Sequence, residues 1–179
     1  MVLKVKYKLL TEGCAPVINE NGDAFDLMAA KDITLETPRL RGIAAQDGSH
    51  IKAGFHDAII PLGIAMELPK GWVADVRPRS STYKKWYILL VNSMGLIDST
   101  YCGDTDEWGF PAVALRTSHI KKGDRICQFE IRPSQRASVW QKLRWLFTSK
   151  IEFVQVESLG NKARGGFGEG TKHLDEGGK

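Results

Sequence analysis

The sequence predicts an all-β fold, either a sandwich or a closed barrel built from many short strands. Three observations point there. Short apolar, β-prone runs recur along the chain. Turn-forming residues separate them at Asn21-Gly22-Asp23, Pro69-Lys70-Gly71 and Lys121-Lys122-Gly123-Asp124, where the backbone needs angles that few other residues adopt. The opening Val2-Leu3-Lys4-Val5-Lys6-Tyr7 alternates apolar side chains with lysine, which is the period of a strand with one buried face.

In chain order, strands are expected over residues 3–9, 33–35, 58–66, 72–77, 87–92, 112–117, 125–131 and 151–156. Residues 38–56, rich in small and charged side chains, read as a solvated loop. One segment breaks the two-residue period. Trp140, Leu143 and Phe147 recur at helical spacing, Lys142 and Arg144 lie off that stripe, and Ser138 is placed to cap. A short helix over residues 138–147, inserted between two strands, is therefore expected. It would pack on its own barrel or at a contact between copies, with docking of a protein partner as the alternative. The barrel is expected over residues 1–160, and a flexible Gly-rich arm over 161–179.

With 179 residues, 42% of them hydrophobic, the chain can bury one substantial core. No run approaches the ~20 apolar residues of a membrane span. The alternating start is unlike the continuous apolar block of a secretory signal, so a cytoplasmic protein without a membrane role is expected. Cys14, Cys102 and Cys127 are scattered with no C-x-x-C pair, and the four histidines lack metal-ligand spacing. A disulfide framework and a zinc site are both disfavoured. The net charge of +4 suits an anionic ligand. Its spread along the chain favours a nucleotide, and no nucleic-acid partner is expected.

The most informative stretch runs from Val91-Asn92-Ser93-Met94-Gly95 through Leu96-Ile97-Asp98 to Tyr101-Cys102-Gly103. Gly95 permits a sharp turn, and Asp98 then follows two apolar residues. A carboxylate beside apolar neighbours costs free energy unless it has a partner or a task. Asp98 suits a general base acting on water beside the Tyr101 ring, and equally an Asp that caps a hairpin turn. Arg79, Ser80 and Ser81 follow a proline and offer a guanidinium fork and small hydroxyls, which fits either a phosphate cradle or an exposed loop.

Five short motifs in a set order decide between these readings. They are Phe25-Asp26-Leu27, Arg77-Pro78-Arg79-Ser80-Ser81, the Asp98 stretch, Gly123-Asp124-Arg125-Ile126-Cys127-Gln128-Phe129 and Arg164-Gly165-Gly166-Phe167-Gly168. Together they resemble the five motifs of the homotrimeric dUTPase family, its phage- and prophage-type members included, from about Leu3 to about Thr171. The resemblance implies a distorted jelly-roll β-barrel assembled as a homotrimer, and a Mg²⁺-dependent hydrolysis of dUTP to dUMP and pyrophosphate. It makes Asp98 the base. It assigns Arg79, Ser80, Ser81 and Gln128 to the phosphates, Asn92 to orienting the water or the uracil hairpin, Gly95 to substrate binding, and Tyr101 to the deoxyribose. Arg164 and Phe167 then belong to an arm that closes over a neighbouring subunit's site, and Asp26 to a structural or outer-shell metal role. Each site is expected to draw on three chains.

Two departures from the family pattern stand out. Asp104-Thr105-Asp106-Glu107-Trp108-Gly109-Phe110-Pro111 intervenes where the family enters a strand directly after Gly103, and Glu169 stands where a Ser or Thr is usual. Two rival functions share the scaffold. A dCTP deaminase would need its acid on the strand after the third motif, where this chain has Ala114. A partner-binding regulatory protein would use the helix at 138–147.

Overall fold

The computed structural model describes residues 1–18, 22–37, 39–41, 52–54, 57–148 and 150–166, the short pieces 39–41 and 52–54 by backbone alone. It holds fifteen strands and two helices in these residues.

The first strand, β1 (Val2–Leu9), buries Leu3, Val5 and Tyr7 and exposes the lysines between them, as its alternation predicts. It pairs in parallel with β15 (Lys150–Val156) and antiparallel with β8 (Ile64–Glu67). A five-stranded sheet runs in the order β11 (Gly95–Asp98), β9 (Trp72–Pro78), β14 (Arg125–Pro133), β3 (Phe25–Met28), β2 (Val17–Ile18). A second three-stranded sheet orders β10 (Ile88–Leu90), β12 (Gly109–Ala114) and β7 (Asp57–Pro61). Two small ladders join β13 (Ser118–Ile120) to β4 (Ile33–Leu35), and β5 (Arg39–Arg41) to β6 (Lys52–Gly54).

Between the sheets lies one core in which Trp72, Trp108, Phe110, Phe129 and Ile60 are almost fully buried. Phe129 sits at its aromatic centre, with ring centroids 5.2 Å from Trp108, 5.3 Å from Phe25 and 5.8 Å from Phe153. Such tilted pairs contribute about 0.5–1.5 kcal/mol each beyond their buried area.

The strand expected over 58–66 is two strands. Leu62-Gly63 interrupts it, Gly63 at φ 71° turns the chain, and its carbonyl accepts from the backbone of Leu10 and Thr11. The loop expected over 38–56 carries a strand at each end, β5 and β6, paired to one another; its middle lies outside the described residues. A helix that the sequence pattern hid, α1 (Thr82–Trp86), follows β9 and ends on Tyr87 in the left-handed region.

The inserted helix is α2 (Val139–Leu146), closed at its start by a capping box in which Ser138 and Gln141 each accept from the other's backbone N–H. It packs on its own barrel, but by a face other than the expected stripe. Gln141 donates to the Lys70 carbonyl at 2.8 Å, and Trp145, four residues on and hence on the same face, packs on Trp72 at 5.2 Å. Gly71 leaves the room that Gln141 fills. The expected stripe therefore points outward, with Trp140 80% and Phe147 67% exposed.

Candidate active site

Asp98 ends β11, where it pairs with Val73 of β9, and Gly95 starts that strand opposite Val76. The turn before it does not use Gly95. Ser93 takes the left-handed angle, at φ 60°, whereas Gly95 lies against Val76, whose Cβ a side chain there would meet at 3.4 Å.

Three donors converge on a single oxygen of Asp98. The Thr100 N–H reaches Oδ1 at 2.8 Å, the Thr100 hydroxyl at 2.6 Å and the Arg164 guanidinium at 3.2 Å. Oδ2 is left without a protein partner among the described residues. Partial burial pushes this carboxyl up, but the bonds from Thr100 and the charge of Arg164 outweigh it and hold Asp98 below the ordinary carboxylate range. The side chain is thus ionised at neutral pH, oriented through one oxygen, and open through the other.

A cavity of about 170 Å³ opens beside it. Val76, Asn92, Gly95, Asp98, Tyr101 and Arg164 are among its walls, so five of the sequence-derived site residues meet in one place. The Tyr101 hydroxyl donates to the Glu107 carbonyl at 2.8 Å, which fixes the ring along that wall. A larger cavity of about 670 Å³ adjoins, sharing Tyr101, Trp108 and Arg164 and adding Lys31. Trp108 borders both cavities and is fully buried, and its indole Nε1 has no partner among the described residues.

A second group forms at the far end of β9. Arg79 Nε lies 2.8 Å from Asp26 Oδ1, and Arg125 Nη1 lies 3.3 Å from Asp26 Oδ2. Asp26 is only 3% exposed, and each of its oxygens faces a guanidinium. The Arg79 N–H donates to the Thr82 hydroxyl, which donates in turn to the Ile126 carbonyl, tying the turn to β14. Ser80 is exposed, and the Ser81 side chain makes no capping bond to α1, so both hydroxyls remain available. Gln128 sits in register between Asp26 and Arg77.

These two groups do not meet within one chain. Asp98 pairs with Val73, and Arg79 stands six residues further along the chain, just past the end of β9, about 20 Å away at the rise of a strand. Arg164, which the resemblance assigns to an arm over a neighbouring subunit's site, lies in this structure against Asp98 of its own chain. Phe167 and Glu169 lie outside the described residues.

No motif announces what the insertion after Gly103 does. Asp106, 1% exposed, accepts from the backbone N–H groups of Gly103 at 2.8 Å, Arg164 at 3.0 Å and Gly165 at 3.0 Å. Asp104 accepts from the Ser158 hydroxyl at 2.7 Å and the Leu159 N–H at 2.6 Å. Among the described residues no group of three or more His, Cys, Asp or Glu side chains could hold a metal ion, and no helix is long and apolar enough to cross a membrane.

The barrel is of a known type. It is similar to the crystal structure of dUTPase from Streptococcus mutans, with a TM-score of 0.59 at 19% identity over 74% of this chain and 98% of that one. A mutant dUTPase from phage phi11 of S. aureus, whose structure details the coordination of a structural Mg(II) ion, matches with a TM-score of 0.57 at 19% identity over 75% and 94% of the two chains. These likenesses define the fold: a dUTPase-type jelly-roll barrel. Sequence carries the assignment further. The family model described as dUTPase matches residues 12–143. The SPbeta prophage-derived deoxyuridine 5′-triphosphate nucleotidohydrolase YosS of Bacillus subtilis (strain 168) is 41% identical over 95% of this chain and 100% of its own length. The chain belongs to the dUTPase family.

Proposed function

We propose that this protein hydrolyses dUTP to dUMP and pyrophosphate, and that Asp98 is the base that draws a proton from the attacking water. The observation that carries the reading is the cleft in which Asp98, Asn92, Gly95 and Tyr101 share one wall, with the carboxylate ionised and one oxygen unengaged. Water attached to Asp98 Oδ2 would add to the α-phosphorus as its proton passes to the carboxylate, and the bond to the bridging oxygen would break with release of pyrophosphate. Tyr101 would lie against the deoxyribose. Phe167 would stack on the base, in an arm that begins near residue 161.

Arg79, with the hydroxyls of Ser80 and Ser81 and the amide of Gln128, would bind phosphate oxygens. Asp26 would hold the Arg79 fork in place rather than meet a metal, since both its oxygens already face guanidinium groups. The separation of about 20 Å between Asp98 and this corner supports a site completed by other copies of the chain, as a homotrimer would provide.

Mg²⁺ fits such a surface only as an ion that brings triphosphate oxygens and water as its main ligands, because no protein cage exists among the described residues. When bound it would supply charge neutralisation on the phosphates. The three free thiols suit a reducing, cytoplasmic compartment. A deaminase reading has no base on β12, where Ala114 is fully buried opposite Ile88. A regulatory role through a protein partner has one observation in its favour, the outward apolar residues of α2.

Hydrolysis in ¹⁸O-labelled water tests the chemistry. The label is expected in dUMP; label in pyrophosphate, or ammonia released from dCTP, would contradict it.

A further inference from the structure

We propose that the insertion after Gly103 is a two-point clamp, Asp104 and Asp106 gripping the backbone of the same chain's C-terminal segment and so placing Arg164 on Asp98. The inference deepens the reading of Asp98 as the base and rests on it for its catalytic consequence.

The clamp is built from backbone donors that have no other partner in regular structure. Asp104 takes Leu159 N–H at 2.6 Å and the Ser158 hydroxyl at 2.7 Å, while Lys8 of β1 lies 3.6 Å from the same carboxylate. Five residues beyond Leu159, the Arg164 N–H donates to both oxygens of Asp106, at 3.0 and 3.1 Å, and Gly165 N–H donates at 3.0 Å. A buried carboxylate with this many backbone donors is oriented from all sides. Burial raises its carboxyl, and the N–H groups of Arg164, Gly103, Gly165 and Cys102 more than reverse this, so it stays charged.

The surfaces match as well as the bonds. A side chain at Gly103 would run into the backbone of Ala163, and one at Gly166 would meet the Tyr101 ring at 3.0 Å. Glycine at both positions lets the C-terminal segment lie flat on the hairpin that carries Asp98. The outcome is that Arg164 Nη1 sits 2.6 Å from the Thr100 hydroxyl and 3.2 Å from Asp98 Oδ1. Asp106 is therefore a positioning residue. It touches neither water nor phosphate, and acts by fixing the segment from which Arg164 reaches.

Amide exchange of the full chain, wild type against Asp106→Asn, tests the clamp directly. An amide side chain keeps one acceptor and turns N–H against N–H. Exchange at Arg164 and Gly165 is expected to rise about ten-fold or more, with the core amide of Phe129 unchanged. The acid limb of kcat/KM for dUTP is expected to move to higher pH as Arg164 leaves Asp98. Wild-type exchange at 164 and 165 in the variant would overturn the clamp, and faster exchange with an unmoved limb would overturn the positioning role. Should Asp106→Asn fail to fold, Gly103→Ala, which displaces Ala163, is expected to give the same pair of changes; their absence there overturns the proposal equally. Failure of the parent reading looks different: the wild type would not turn over dUTP while its Arg164 and Gly165 amides remained protected.

Discussion

The Arg164 guanidinium, sixty-six residues beyond Asp98 in the chain, lies 3.2 Å from Asp98 Oδ1. One cation from the C-terminal segment thus adds to the Thr100 bonds that keep ionised the carboxylate on which the proposed chemistry depends. About half of each side chain is exposed, so the pair is screened by water and tunes the site more than it stabilises the fold.

Removing that cation has a definite sign. Arg164 helps to hold Asp98 below the ordinary carboxylate range, so the base stays ionised until the medium is quite acidic. Arg164→Gln is expected to shift the acid limb of kcat/KM upward in pH and leave the rate above neutrality controlled by other groups. A pH profile of both proteins checks it.

Asp26 is expected to matter to the phosphate corner through Arg79. Asp26→Ala leaves a largely buried Arg79 and a half-exposed Arg125 without their buried carboxylate, at a cost of about 1–3 kcal/mol in stability, read from denaturant midpoints. KM for dUTP is expected to rise about ten-fold, with less change in kcat, because binding is lost more than chemistry.

The two tryptophans of α2 should behave oppositely. Trp145→Ala removes the ring that packs on Trp72 and is expected to cost about 2–3 kcal/mol. Trp140→Ala, at a position 80% exposed, should change stability by no more than about 0.5 kcal/mol. Thermal denaturation of the pair separates them.

Acid should weaken the fold through Asp106. Its folded carboxyl lies below the unfolded value near ~4, so its contribution is complete above that pH and is lost as pH falls through the lowered folded value. Asp106→Asn is therefore expected to melt below the wild type at neutral pH, with the gap closing in acid. Melting temperatures measured from neutral pH down to strong acid test the convergence.

Much of this was legible in the residues. Leu3, Val5 and Tyr7 announce a half-buried strand because alternation is a local property, and Ser138 announces a helix start for the same reason. The grouping of Asn92, Gly95, Asp98 and Tyr101 followed from one motif on one hairpin. What stayed hidden depends on contacts distant in sequence. The outward turn of Trp140 is set by Gln141 reaching Lys70, and no helical period reports that. The task of Asp104 and Asp106 is defined by partners more than fifty residues away, so the insertion showed as a departure with no visible purpose. Asp26, expected in a structural or outer-shell metal role, has Arg79 and Arg125 on its two oxygens, and its own short motif names neither partner.

The most direct test is Asp98→Asn, which keeps the shape of the side chain and the hairpin while removing the proton acceptor. Turnover of dUTP is expected to fall by about a hundred- to ten-thousand-fold, with dUTP affinity changed only a few-fold. A variant that still hydrolyses dUTP within about ten-fold of the wild-type rate would show that some other group activates the water.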